Sequence, residues 1–113
     1  MPPREWRLRI EDIVEAVERI ERYVSGKTLP AFVADELLID GVSHCFCIIG
    51  EAAAHVPDDV VAAHPEIPWA AMRAMRNIIV HEYFGVTVET LWKTAGEDLP
   101  PLVESLKRLL AGA

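Results

Sequence analysis

Two cysteines, Cys45 and Cys47, are the whole thiol complement of a 113-residue chain, too few for a disulfide scaffold. At i,i+2 on a helix their side chains point about 200° apart, so they do not bridge each other locally and reduced thiols are expected. No apolar run approaches the roughly 18 residues that would span a bilayer. The opening Met1-Pro2-Pro3-Arg4-Glu5-Trp6 holds no apolar signal core. A cytoplasmic protein with no membrane association is the expectation. Basic residues are short as well: 11 Lys and Arg stand against 18 Asp and Glu, for a net charge of −7. That balance argues against broad, nonspecific nucleic-acid binding, which needs a basic surface to displace counterions. Any nucleic-acid contact must be confined to a local basic patch, and the acidic remainder suits solubility or a basic partner. Segments that alternate like strands, internal repeats and low-complexity linkers are also missing.

What is present is a globular composition, 51% hydrophobic and 26% charged, in a length that closes one core without staples. A single domain over residues 1–113 is expected. Ile10, Ile13, Val14, Val17, Ile20 and Val24 recur at helical spacing, predicting a helix from about Trp6 to Ser25 with Glu11, Glu15, Glu18 and Arg22 outside and Gly26 as its stop. Thr28 can cap a short turn through Ala34, and Asp35 can cap a second long helix to about His55. That helix aligns Val42, Phe46, Ile49, Ala53 and Val56 as a core face, with Cys45 on the shoulder and Gly50 available for close approach. The prolines Pro57, Pro65 and Pro68 isolate a short helix over Asp58 to Ala63. Pro68 then suits the first turn of a third long helix, carrying Ala71, Met72, Met75, Ile78 and Ile79 inward and ending at Gly85. Thr87 caps a shorter helix to about Ala95 with Leu91 and Trp92. A break from Gly96 to Pro101 precedes a last helix on Leu102, Val103, Leu106, Leu109 and Leu110. The fold class expected is all-α, an antiparallel helical bundle with short connections.

One stretch departs from core-helix chemistry. Arg76, Asn77, His81 and Tyr83 put a guanidinium, an amide, an imidazole and a phenol into eight residues of a largely apolar run. On an ideal helix Arg73, Asn77 and His81 follow at i,i+4, while Arg76, Val80 and Tyr83 form a neighbouring line. Arg76 and His81 are then about 140° apart. Either the helix frays before His81, or the site is assembled across a two-fold axis with two copies of each group in one groove. Histidine titrates near neutrality and moves protons, while arginine stays charged and grips phosphate oxygens with paired hydrogen bonds. The plainer reading of such a pair is capping and surface charge, and of Tyr83 a phenol closing the bundle beside Phe84.

The pattern Arg76-x4-His81-x-Tyr83 resembles the signature of HEPN-domain proteins of the HepT type. Pro65-Glu66-Ile67-Pro68-Trp69, Ile48-Ile49-Gly50-Glu51-Ala52-Ala53 and the run from Asp12 through Ile20 look similar too, so the resemblance covers roughly Ile10 to Leu106. It implies a HEPN-like helical homodimer with the motifs facing one another. It implies a toxin of a toxin–antitoxin pair, a metal-independent endoribonuclease acting on RNA or tRNA, in which Arg76 and His81 carry catalysis. Asn77, Arg73 and His44 would support RNA binding. No cofactor is implied. The partner would be a cognate MntA-like nucleotidyltransferase antitoxin, which silences the site by adding AMP from ATP to Tyr83.

Relatives commonly read Arg-Asn-Leu-Glu where this chain has His44-Cys45-Phe46-Cys47, replacing an arginine and a glutamate. Protonated His44 can keep part of the arginine's role. Two other readings follow from the same residues. His44, Cys47, Glu51 and His55 share one helical stripe and could ligate a metal, although metal signatures are usually tighter and none is expected here. The acidic charge and the altered segment also suit a non-catalytic helical dimer that only binds a nucleotidyltransferase.

Overall fold

In the computed structural model the described residues are 5–77 and 87–112, and none of them is in a strand. The first helix, α1, spans Trp6–Val24. Its stripe of Ile10, Ile13, Ala16, Val17 and Ile20 is fully buried, the consequence of apolar residues at three- and four-residue spacing. The chain leaves the helix through Gly26 at φ +72, a conformation that costs residues with a Cβ. Thr28 then accepts a hydrogen bond from the Ala31 amide and starts α2, Leu29–Val33. Asp35 accepts one from the Leu38 amide at 3.0 Å and starts α3, Glu36–Ala54. These side chains satisfy amides that a helix start leaves unpaired.

Helix α3 is the central element. Val42, Cys45, Phe46, Ile49 and Ala53 are buried on a face covered by α1 and by α5. Burial pushes the Cys45 thiol above its ordinary range, against the opposing pull of Arg19 and Arg22, so it behaves as a small apolar core group. The expectation that no run is apolar enough for a membrane needs correction here. Among the described residues α3 alone is long and apolar enough to cross one, with a mean hydropathy of 1.5. Its apolarity has another physical use, since one face is taken up by the core while Asp40, His44 and Glu51 project from the exposed side.

A short α4, Asp58–Ala63, precedes α5, Trp69–Ala74. Trp69 is buried, and its indole Nε1 donates to the His64 carbonyl at 2.9 Å. This anchor sets the register of α5, so Trp69 and Met72 face inward and Ala71, expected inside, is exposed. The predicted long third helix is also corrected, because α-helical geometry ends at Ala74 and a 3-10 turn, Met75–Asn77, follows. The expectations for Ile78, Ile79, Val80, His81, Tyr83 and Gly85 lie outside the described residues.

Thr87 caps α6, Val88–Lys93, whose Trp92 ring lies 5.1 Å from that of Phe32 on α2. The break predicted from Gly96 to Pro101 is absent. A π turn over Thr94–Asp98 runs straight into α7, Leu99–Gly112. In that turn the Leu99 amide bonds the Thr94 carbonyl. Pro100 and Pro101 follow in the first turn of α7, where missing N–H groups are tolerated. Leu102, Val103, Leu106 and Leu109 complete the core. Arg7 on α1 closes the far end of this pairing by donating to the Leu110 carbonyl at 2.8 Å. The architecture is all-α, with α1 sandwiched between α3 and α7.

Candidate active site

The geometry of the motif begins at Gly50. A Cβ built at this position would fall 2.7 Å from both Cα and Cβ of Arg76 and overlap its backbone amide as well. Only a glycine on α3 lets the 3-10 turn lie directly on the helix, and this contact fixes where Arg76 leaves the surface. The Arg76 side chain is exposed. It forms one wall of a groove of about 360 Å³, together with Arg9 and Asp12 from α1 and Cys47, Ile48, Glu51 and Ala52 from α3. Two guanidinium groups thus face two carboxylates over a floor of small and apolar side chains. The formal charges of the groove balance, on a protein that is acidic as a whole.

The charges in this groove are not equally engaged. Arg76 makes no hydrogen bond or ion pair with any described residue, and neither does Arg9, whose Nε is buried without a partner. Asp12 has an interaction of its own. Glu51 lies 3.8 Å from Nδ1 of His55, with both side chains largely in solvent. Free guanidinium groups over a concave surface are suited to an anion, and arginine's planar fork matches phosphate oxygens in pairs.

Arg73 has a different setting. Its Nε donates to the Ala53 carbonyl at 3.1 Å and a terminal nitrogen donates to the Val56 carbonyl at 3.2 Å. A cation thereby stands at the C-terminus of α3, where the helix dipole is negative, on one carbonyl of the last turn and one just beyond it. Arg73→Ala should cost about 2 kcal/mol of stability, because hydrogen bonds to charged groups are worth roughly 1.5–3 kcal/mol; the Val56 carbonyl loses its donor, while that of Ala53 keeps the Val56 amide. Urea denaturation measures this. Arg73→Lys should recover only part of the loss, and an unchanged midpoint in the alanine variant would contradict the capping role.

Asn77 is exposed at the end of the 3-10 turn and does not line the groove. His44 is exposed one turn before Cys47 and also stands outside the groove's walls, whereas Cys47 forms part of them. The stripe from His44 to His55 does not converge on a point: Nδ1 of His55 turns back to the Glu51 carbonyl oxygen at 2.8 Å. Among the described residues no three His, Cys, Asp or Glu side chains gather closely enough to hold a metal. His81 and Tyr83 lie outside the described residues.

Sequence reasoning did not single out Arg9, nor the facing of Asp12 toward Arg76. The one available signal was their i,i+3 spacing at the edge of the apolar stripe of α1, which places both on one shoulder of the helix. Knowing which element faces that shoulder requires the packing of α1 on α3.

The comparisons with known proteins give the family. The HepT-like family, described as ribonuclease HepT-like, matches residues 13–109. A protein of Thermococcus cleftensis named "Probable ribonuclease HepT" is 42% identical over 100 residues, covering 88% of this chain and 91% of that protein. A protein of Caldanaerobacter subterraneus subsp. tengcongensis, provisionally named an RNase, is 32% identical over 101 residues, covering 89% of this chain and 90% of its own length. A Methanocaldococcus jannaschii protein whose name joins a gamma-glutamylcyclotransferase to a provisional RNase is 32% identical over 104 residues, which are 92% of this chain but 47% of that protein. No solved structure matches the chain. The chain belongs to the HepT-like family of HEPN ribonucleases.

Proposed function

We propose that this HepT-like ribonuclease is the toxin of a toxin–antitoxin pair, cutting RNA without a metal at a site built on Arg76 and His81. The observation that carries the reading is the unpaired Arg76 guanidinium, set over a groove by the Gly50 contact. An exposed arginine needed only for solubility does not require a glycine-floored seat. In the proposed reaction the 2′-hydroxyl oxygen attacks the adjacent phosphorus, its proton passes to a base, and the 5′-oxygen leaves with a proton from an acid. His81 supplies one of these proton transfers. Arg76 holds the phosphate oxygens as charge builds on them. The second transfer falls to the partner protomer's copy of this histidine in a homodimer, or to water.

Tyr83 is the proposed switch. Transfer of AMP from ATP by a cognate nucleotidyltransferase joins the phenol oxygen to the α-phosphorus, and pyrophosphate leaves. The adduct adds bulk and negative charge two residues from His81, where it competes with the RNA backbone. Coexpression with such a nucleotidyltransferase should raise the intact mass by whole AMP units and relieve growth arrest. Tyr83→Phe should show neither effect while staying toxic. An unmodified wild-type chain beside an active transferase, or modification that survives in Tyr83→Phe, contradicts the assignment.

A further inference from the structure

We infer that Arg9 on α1 is a second phosphate-binding side chain of the groove, gripping a backbone phosphate of RNA beside the one held by Arg76. The inference rests on the reading of Arg76 as the cation of the cleavage site and extends that site onto another helix.

Arg9 is half-buried at the edge of the core stripe, next to Ile10 and one turn before Ile13. Arginines in such places usually find an acceptor, because a buried N–H without one loses the hydrogen bond it had with water. Other arginines of this chain do so: Arg7 bonds the Leu110 carbonyl, Arg19 the Tyr23 hydroxyl, and Arg73 the carbonyls of Ala53 and Val56. Arg9 has an Nε buried and unpartnered. It pairs with neither carboxylate of the groove, since Asp12 is engaged elsewhere and Glu51 sits by His55. It also lines the same cavity as Arg76, which is equally unpaired. A cavity of about 360 Å³ admits a nucleotide-sized group, within the usual range for small-ligand pockets. Ile48, Ala52 and Cys47 give it an apolar floor for a sugar or base. Two guanidinium groups lining one such groove can each take a phosphate of the same strand, which a lone cation cannot.

Arg22 provides the control. It lies on the same helix and makes no hydrogen bond or ion pair with any described residue, yet it borders a separate depression formed with Glu18, Glu21 and Ser25.

The test measures binding of a short RNA oligonucleotide carrying 2′-O-methyl groups throughout, which cannot be cut, by fluorescence anisotropy at several salt concentrations. Cleavage of the unmodified RNA is followed in parallel. Arg9→Ala should weaken binding about tenfold and reduce the slope of log affinity against log salt by about 0.7, the loss of one single-strand phosphate contact. KM should rise while kcat stays within about twofold, and Arg9→Lys should keep the slope. Arg22→Ala should match wild type in both assays. Wild-type affinity and slope in Arg9→Ala, with cleavage still lost in Arg76→Ala, overturns this inference alone. Equal losses in Arg22→Ala overturn it as well, by reducing the effect to a general field. Undiminished cleavage by Arg76→Ala removes the underlying reading and this one with it. Should Arg9→Ala fail to fold, Arg9→Gln keeps the packed stem and is read by the same criteria.

Discussion

Arg76→Ala should lower RNA cleavage by at least 10²- to 10³-fold, the usual loss when one preorganised donor to a developing oxyanion is removed, or about 2.7–4 kcal/mol of transition-state stabilisation. The same substitution should leave stability within about 0.5 kcal/mol of wild type. The side chain is exposed and makes no hydrogen bond or ion pair with any described residue, so no described contact that holds the bundle together is removed with it. This split between activity and stability separates a catalytic arginine from a structural one. Arg73 predicts the reverse emphasis, because its guanidinium is spent on two carbonyls at the end of α3. Arg76→Lys should fall in between, since an ammonium keeps the charge but loses the paired, planar contact to phosphate. The effect of Arg76 grows as RNA covers the groove, because displacing water strengthens each charge interaction there.

Gly50→Ala is expected to destabilise the protein by about 1 kcal/mol and to cut turnover about 10²-fold, although it adds only a methyl group. Two opposing effects decide the sign. Alanine is favoured over glycine inside a helix by about 1 kcal/mol. Against this, the new Cβ would lie 2.7 Å from Cα of Arg76, and backbone cannot rotate out of the way as a flexible side chain could. Overpacking of this kind costs typically 1–3 kcal/mol, and relief requires the 3-10 turn to lift from α3. A displacement of about 1 Å in a positioning element is enough for a 10²-fold loss of rate. Gly96→Ala is the matched comparison. Nothing lies within 4 Å of a Cβ at that position and its φ is not positive, so the same substitution should be neutral or stabilising by up to about 1 kcal/mol. Urea denaturation and initial cleavage rates on the two variants settle both. A Gly50→Ala protein with wild-type stability and rate would contradict the proposed seat for Arg76.

Much of the scaffold was legible because it depends on local chemistry. Thr28, Asp35 and Thr87 cap the helices that the sequence assigned to them, and the spacing of Ile10, Ile13, Val17 and Ile20 identified the buried face of α1. Side chains that satisfy helix-end amides act within three residues, so no tertiary knowledge is needed. What escaped prediction depends on contacts between distant segments or on unusual backbone geometry. Ala71 points outward because Trp69 sets the register through the His64 carbonyl. Gly96, Pro100 and Pro101 read as a break, yet a wider π turn carries the helix through them. The tightening at Met75 follows no signal in its own residues.

The site divides in the same way. Arg76 stood out as a candidate from its spacing to His81 and Tyr83, and Gly50 was marked as a place of close approach. Their meeting was not readable, because it depends on how the turn after α5 crosses α3. Arg9 was hidden for a similar reason. On its own helix it is one more basic residue at the edge of an amphipathic stripe, and only the groove it shares with Arg76 gives it a role.

The most direct test of the central claim is the initial rate of RNA cleavage in excess chelator, measured side by side for wild type and Arg76→Ala. Two oligonucleotides of one sequence are used, one all-ribose and one with 2′-deoxy sugars throughout. Wild type should cut the all-ribose strand, leave the 2′-deoxy strand intact and be unaffected by the chelator, with Arg76→Ala slower by at least 10²-fold. Cleavage of the 2′-deoxy strand, loss of all activity on chelation, or an Arg76→Ala rate equal to wild type would contradict a 2′-hydroxyl-driven, metal-independent cut at this groove.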